Sequence, residues 1–363
     1  MKHLFTIILA YVAVFAIYTA QAQVIKQDDP SGYIVKYDKN FEGIGPEVYF
    51  LPAPIPKIDD LKKQYFSTQL FVDSIKHKIN QEQLLEDFKF LSGDLDIHAP
   101  NLSHEEIVLA YQARIQSAIR AESPAQFYSA TNNYAFYLMS IGDMKNAIME
   151  LEKAVLAAEQ TKNSTDIQLL QQNLINLFIS TGNNIEAKNI ADAQLQWAIK
   201  DKNQSAQGYA ILNQARILAA EKDYQHAENT IIRKAFPLFN RSKNYEGKAI
   251  ARIILAEIYR QQSKLTEAQW FLLQAKDIAH EIKLQSKILK IEYLLGISKY
   301  EQENFNVSKN ELLNALLYTN NAKDKYTRLI IHDYLGRIAL NQGDINTADD
   351  QLKKYWQLRN EIF

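Results

Sequence analysis

"NNYAFYLMSIGDMKNAIMELEKA", residues 132–154, sets four small residues, Ala135, Gly142, Ala147 and Ala154, into otherwise bulky helical text. With Ala135 as reference, equivalent positions are Ile175, Ala215, Ala256, Gly296 and Gly336, at spacings of 40, 40, 41, 40 and 40 residues. Twelve residues after each stand Ala147, Ala187, Ala227, Ala268, Ser308 and Ala348, all of them small. Between the two series lie turn positions, where Gly142, Gly182 and Gly343 are each followed by Asp or Asn. A further series, Lys162, Lys202, Lys243, Lys283 and Lys323, recurs at 40, 41, 40 and 40.

A small residue near the middle of each of two antiparallel helices lets them approach closely. Glycine between them takes φ > 0 without steric cost and closes the turn. Lysine suits the end of the second helix, where the helix dipole is negative and solvent is near. Each unit is therefore a helical hairpin that cannot bury its apolar face alone, and six of them stack into one core. The expected fold is all-α, a right-handed α-α superhelix. In such an array each unit touches only its neighbours, so a chain ended after Asn320 should remain a folded, shorter array.

This stretch and "LAEIYRQQSKLTEAQWFLLQAKDIA" (residues 255–279) resemble the tetratricopeptide repeat, or TPR, and the resemblance extends over about 123–363. It departs from the family in two ways: the usual unit is about 34 residues, and the proline that commonly ends a unit is absent here. The longer unit is similar to that of long-helix variants in bacterial regulatory arrays. The third unit is irregular, because Ala235 stands one place later than Ala154 and Ala275 predict, and Pro237 follows. A local kink is expected there.

Apolar residues make up 47% of the 363-residue chain and charged residues 23%, ordinary values for a folded protein. Lys plus Arg is 41 against 42 for Asp plus Glu, so there is no basic surplus to suit a nucleic-acid partner. Residues 1–22 have one lysine, an apolar run and Ala20-Gln21-Ala22, the layout of a signal peptide cut before Gln23. Left uncut, the same run would be a membrane anchor. With no cysteine the chain forms no disulfide and offers no thiol for a lipid anchor. Both features point to an exported protein, periplasmic or secreted.

Residues 23–57 hold five of the eight prolines and read as an extended Pro/Gly-rich linker. Residues 58–122 read as a helical N-terminal cap, a degenerate repeat stacked on the first full one. Within it one helix, with a break, covers 59–91, a loop follows over 92–101, and Ser103 caps the next helix. At the other end Trp356, Leu358 and Phe363 need covering, either by the array or by self-association through the C-terminal helix.

No catalytic or metal-binding pattern emerges. The seven histidines are scattered, no second His completes a zinc-binding helix, and "EGIGPE" is interrupted by Pro46. No metal, no cofactor and no enzymatic activity are expected. The TPR resemblance implies instead a groove lined by the first helix of each unit. Two places before the small residue stand Asn133, Asn173 and Asn213, a ladder able to hydrogen-bond an extended backbone. One place after it stand Phe136, Asn176, Arg216, Glu257 and Arg337, and Arg260, Tyr293, Tyr300 and Asp333 should face the same groove. The lysines of the family's carboxylate clamp are missing. The implied partner is a peptide or protein segment without strong net charge. The reading is a non-enzymatic interaction scaffold of the cell envelope. Its alternatives are a sensory component acting through a separate output protein, and a glycan-capture protein.

Overall fold

The structure is a computed structural model, described here for residues 35–36, 40, 42, 49–50, 55–91, 102–319 and 324–363. The signal segment, most of the 23–57 linker, the 92–101 loop and Lys323 lie outside the described residues. The backbone forms two compact units, Met1–Asp60 and Leu61–Phe363. In the first, β1 (Val35–Lys36) pairs antiparallel with β2 (Tyr49–Phe50), Val35 opposite Phe50. Helix α1 (Lys57–Gln69) runs across the boundary, and α2 (Val72–Glu86) and α3 (His104–Arg120) follow. The break expected within 59–91 falls at Leu70 and Phe71. Ser103 caps α3 in a full capping box, exchanging bonds with Glu106.

Beyond α3 the second unit is an α-solenoid of stacked helical hairpins. They are α4 (Pro124–Ser140) with α5 (Met144–Thr161), α6 (Ser164–Thr181) with α7 (Asn184–Lys200), and α8 (Gln204–Ala220) with α9 (Tyr224–Thr230) and α10 (Phe236–Arg241). Then come α11 (Tyr245–Gln261) with α12 (Leu265–Glu281), α13 (Gln285–Glu301) with α14 (Phe305–Leu317), and α15 (Lys325–Asn341) with α16 (Ile345–Ile362). The kink expected in the third unit is a π-helical turn over Ile231–Ala235, between α9 and α10. A π turn takes up one extra residue without breaking the helix, as the displaced Ala235 requires.

The lysine series has a backbone cause as well as an electrostatic one. Lys162, Lys202, Lys243 and Lys283 all have φ of 53–57°, the left-handed conformation that closes a helix. Glu122, forty residues before Lys162, has φ 48° and ends α3 in the same way. Helix α3 is thus the second helix of an incomplete unit, and it packs on α4.

The small-residue series has a steric cause. A Cβ on Gly296 would lie 2.6 Å from the side chain of Leu312, sixteen residues on. At the same sixteen-residue spacing Leu151, Leu272 and Leu352 follow Ala135, Ala256 and Gly336. At the one exception, Ile175, the residue sixteen places later is Ala191, and both are fully buried. The large and small partners are exchanged, so the volume of the pair is kept.

Helices α1 and α2 reach beyond the first repeat on which a cap was expected to stack: α2 meets both the first and the last unit. They run along the inner face of the solenoid, against the first helix of several units. Tyr65 donates its hydroxyl to the Ala348 carbonyl at 2.7 Å, 283 residues away. Thr68 donates to Asp333 at 2.6 Å, and Arg337 donates to the Tyr65 carbonyl at 2.6 Å. On α2, Gln81 donates to the Met139 carbonyl of the first unit at 2.9 Å, while its neighbour Glu82 accepts from the Tyr326 N–H of the last at 3.3 Å. Ile75 and Ile79 are buried within the main apolar core. Two consecutive residues of one helix therefore hold opposite ends of the array.

This arrangement also answers what covers the C-terminal helix. Leu61 and Tyr65 pack with Ala339, Ala348 and Leu352, Trp356 lies partly buried against that cluster, and Arg359 sits 4.1 Å over the Phe71 ring. Leu358 is buried, and only Phe363 of the three is exposed. Nearest-neighbour contact does not describe the fold completely either. Ending the chain after Asn320 would remove the surface on which Leu61, Tyr65 and Thr68 are seated.

The exchanged pair gives a direct check on the register. Ile175→Ala should cost about 2–4 kcal/mol by leaving a cavity, and Ala191→Leu alone should overpack by about 1–3 kcal/mol. The double variant should recover part of both losses in a denaturant titration. Simple additivity would contradict the pairing.

Candidate functional site

After α2 the chain leaves helical geometry, and residues 88–91 pass in front of the first two units. A side-chain carboxamide carries one acceptor oxygen and a donor NH2, and so can bond both the backbone N–H and the backbone C=O of one residue. Asn173 does so: its Oδ1 accepts from the Lys89 N–H at 2.9 Å, and its Nδ2 donates to the Lys89 carbonyl at 2.8 Å. Asn132 donates to the same carbonyl at 3.2 Å and accepts from Asn173 Nδ2 at 3.0 Å. Asn173 is only 1% exposed, so water does not compete for these bonds. On either side Phe88 and Phe90 meet Phe136, with ring centroids 5.2 and 4.8 Å apart.

Forty residues further along the chain, on the first helix of the next unit in each case, the pair is repeated as Gln172 and Asn213. Asn213 Nδ2 donates to Gln172 Oε1 at 2.8 Å, and Gln172 Nε2 donates back to Asn213 Oδ1 at 3.2 Å. This second rung borders an open cleft of about 550 Å3, lined by α6, α7, α8, α11 and α13 and closed on one side by Glu86, Asp87 and Lys89. Asn176 Oδ1 accepts from Gln172 Nε2 at 3.0 Å and from Arg216 Nη1 at 2.7 Å. At the next step the positions are Leu212 and Ile254, and the ladder becomes an apolar wall of the cleft.

The charges around the cleft are balanced. Burial pulls the Arg216 guanidinium down, while Asp87 and Glu257 work in the other direction. Burial pushes the Asp87 carboxyl up, but the ammonium of Lys287, ion-paired with it, overrides this and holds it below the ordinary carboxylate range. Arg216 forms its hydrogen bonds through Nη1 alone, to Asn176 and Asn213.

The other groove positions have different surroundings. Asn133 is buried, with no hydrogen-bond partner for either polar atom among the described residues. Glu257 pairs with Lys290 at 2.7 Å, and Arg260 bonds Ser298 and pairs with Glu301 at 3.0 Å. Tyr293 is buried, its hydroxyl pushed well up by desolvation, and Tyr300 stands edge-on to Tyr334 at 4.9 Å. Asp333 and Arg337 face inward and are engaged with Thr68 and Tyr65 of α1. The structure thus gathers Asn176, Asn213 and Arg216 at the cleft and assigns Phe136, Asn173, Asp333 and Arg337 to the chain's own segment. Asn132, Gln172 and Gln194 were missed, although Asn132 and Gln172 share the forty-residue register one place ahead of the asparagines.

No group of three or more His, Asp or Glu among the described residues could hold a metal ion. The carboxylates of Glu292 and Glu311 are joined by Lys276 at 2.8 and 3.1 Å. This cluster closes upon itself between α12, α13 and α14. Among the described residues no helix is long and apolar enough to cross a membrane.

Glu82 is the titratable contact of the inner segment. Burial raises its carboxyl to about 7, against the opposing pull of the Tyr326 N–H, and its Oε2 is buried without a partner among the described residues. A carboxyl raised in the folded state stabilises while protonated, and that contribution is lost as pH rises through about 7. The Glu82→Gln variant should therefore lose less melting temperature than the wild type between about pH 5 and about pH 8. Identical slopes in a calorimetric series would remove Glu82 from the account.

No protein-family model and no curated protein matches the sequence. Among solved structures, the apo form of RapI is 13% identical, with 70% of this chain and 98% of that chain covered and a TM-score of 0.44. BtubC from P. vanneervenii is also 13% identical, over 72% of this chain and 93% of that one, with a TM-score of 0.42. A Rap protein complexed with competence and sporulation factor is 11% identical, over 84% of this chain and 99% of that one, at 0.49. At such scores these likenesses bear on neither the family nor the ligand of this chain.

Proposed function

We propose that this chain is a non-enzymatic interaction scaffold that holds a peptide or protein segment on the inner face of its solenoid. The observation that carries the reading is the grip of Asn173 and Asn132 on the backbone N–H and C=O of Lys89. It is an instance, within the molecule, of the inner face binding an extended backbone without reading its side chain. A neutral cleft rich in carboxamides continues that surface. The sequence start adds the proposal that the protein is exported and works as an adaptor in the cell envelope, its mature chain beginning at Gln23.

The test is the purified full chain on a peptide array and a glycan array in parallel. Retention of uncharged, extended peptides with little saccharide binding is expected. Saccharide binding alone, or retention of no peptide by the folded protein, would overturn the reading. Mass spectrometry of the exported protein should give an N-terminus at Gln23, and an intact Met1 would remove the export proposal.

A further inference from the structure

We infer that the ligand site is a composite cleft: the chain's own Glu86–Lys89 segment forms one wall, and the Gln172–Asn213 rung receives a short, uncharged, extended peptide. This rests on the reading above and specifies where and how it operates.

Three observations carry it. The first is the internal precedent. The Asn132–Asn173 pair holds the backbone N–H and C=O of Lys89, and the Gln172–Asn213 pair is its image one unit later, displaced by forty residues at both members. Among the described residues the second pair bonds no backbone; its carboxamides bond each other at the edge of an open cleft. That cleft, about 550 Å3, falls in the usual range of ligand sites, about 300–1,000 Å3.

The second is that the wall is seated too firmly to be the ligand's competitor. Ile75, Ile79, Phe88 and Leu91 are all buried. Displacing the segment would expose them and break the ion pair between Asp87 and Lys287. Occupancy of the cleft beside the wall costs none of this.

The third is the chemistry of the lining. Its six acidic and basic residues are evenly divided, Glu86, Asp87 and Glu246 against Lys89, Arg216 and Lys287. A strongly charged ligand would find no matching field. The Nε and Nη2 donors of Arg216 take no part in its bonds to Asn176 and Asn213, which suits a ligand rich in carbonyl oxygens. A saccharide would want an exposed aromatic face. The cleft's tyrosine, Tyr209, is instead packed edge-on to Phe239 at 5.1 Å. Packed helices lie about 8–10 Å apart, the reach of about three extended residues. A stretch of roughly four residues would place one peptide group on the rung and still fill the cleft.

The probe is a pool of N-acetylated, C-amidated tetrapeptides of Ala, Ser, Thr, Leu and Phe, with binding to the full chain read by equilibrium dialysis and mass spectrometry. Peptides retained by the wild type should bind at least about tenfold more weakly to Asn213→Ala and to Arg216→Gln, both checked for unchanged helicity. Binding should also raise the hydrogen-exchange protection of residues 86–91. Retention unaffected by both variants would overturn the composite cleft and leave the wider peptide-binding reading standing. Lowered protection of residues 86–91 would show displacement of the wall and overturn the cleft in the same way. Retention of no peptide by the folded wild type would overturn both.

Discussion

A tyrosine hydroxyl occupies the space in which a side chain at position 336 would begin. The ideal Cβ of Gly336 would lie 1.6 Å from the Tyr65 oxygen, and that oxygen is bonded to the Ala348 carbonyl of the neighbouring helix. One position thus serves two constraints. It belongs to the series of small residues that lets paired helices approach, and it opens the last unit to α1. From that anchor α1 and α2 follow the inner face back to the first unit, where Lys89 is held by two asparagines. A solenoid of stacked hairpins is ordinarily governed by neighbour-to-neighbour contact. Here a single segment adds contacts between residues more than 250 positions apart.

The consequence for function is a division of the inner face. Part of it is permanently satisfied by the segment: Asp333 and Arg337 hold Tyr65 and Thr68, and Phe136 meets Phe88 and Phe90. The part facing Gln172, Asn213 and Arg216 opens on a cleft. Burial makes the satisfied part strong, because an unpaired carboxamide or carboxylate there would carry the full desolvation penalty. At the cleft the charges are balanced and Gln172 and Arg216 are only half-buried, which is what the proposed exchange of their hydrogen bonds for those of a visiting backbone requires.

Much of the hairpin array was legible in the sequence, because steric demands repeat with the unit. Ala135, Ala215, Ala256, Gly296 and Gly336 announce close helix approach, and the exception at Ile175 is resolved only by finding Ala191 opposite. The displaced Ala235 foretold an irregularity, and the π turn is its physical form. The lysine series was read as charge at a helix end, whereas four of its members also adopt left-handed backbone. What could not be read was the path of residues 61–91. Their apolar positions show helix, but helical periodicity specifies a face and not the surface that will cover it. Neither Tyr65 nor Asn173 carries any mark in the sequence of its partner nearly three hundred or eighty-four residues away. The Asn ladder was legible as hydrogen-bonding capacity, and its occupant was not.

The seating of the N-terminal segment on the last unit is the claim on which this account stands, and the absence of native cysteine makes it directly testable. Thr68 and Asp333, whose side chains meet at 2.6 Å, can be replaced together by cysteine and the protein exposed to mild oxidant. The account predicts a rapid intramolecular disulfide in the monomer, seen as a peptide spanning both sites by mass spectrometry. Free thiols at both positions in the folded protein, or cross-links formed only between molecules, would contradict it.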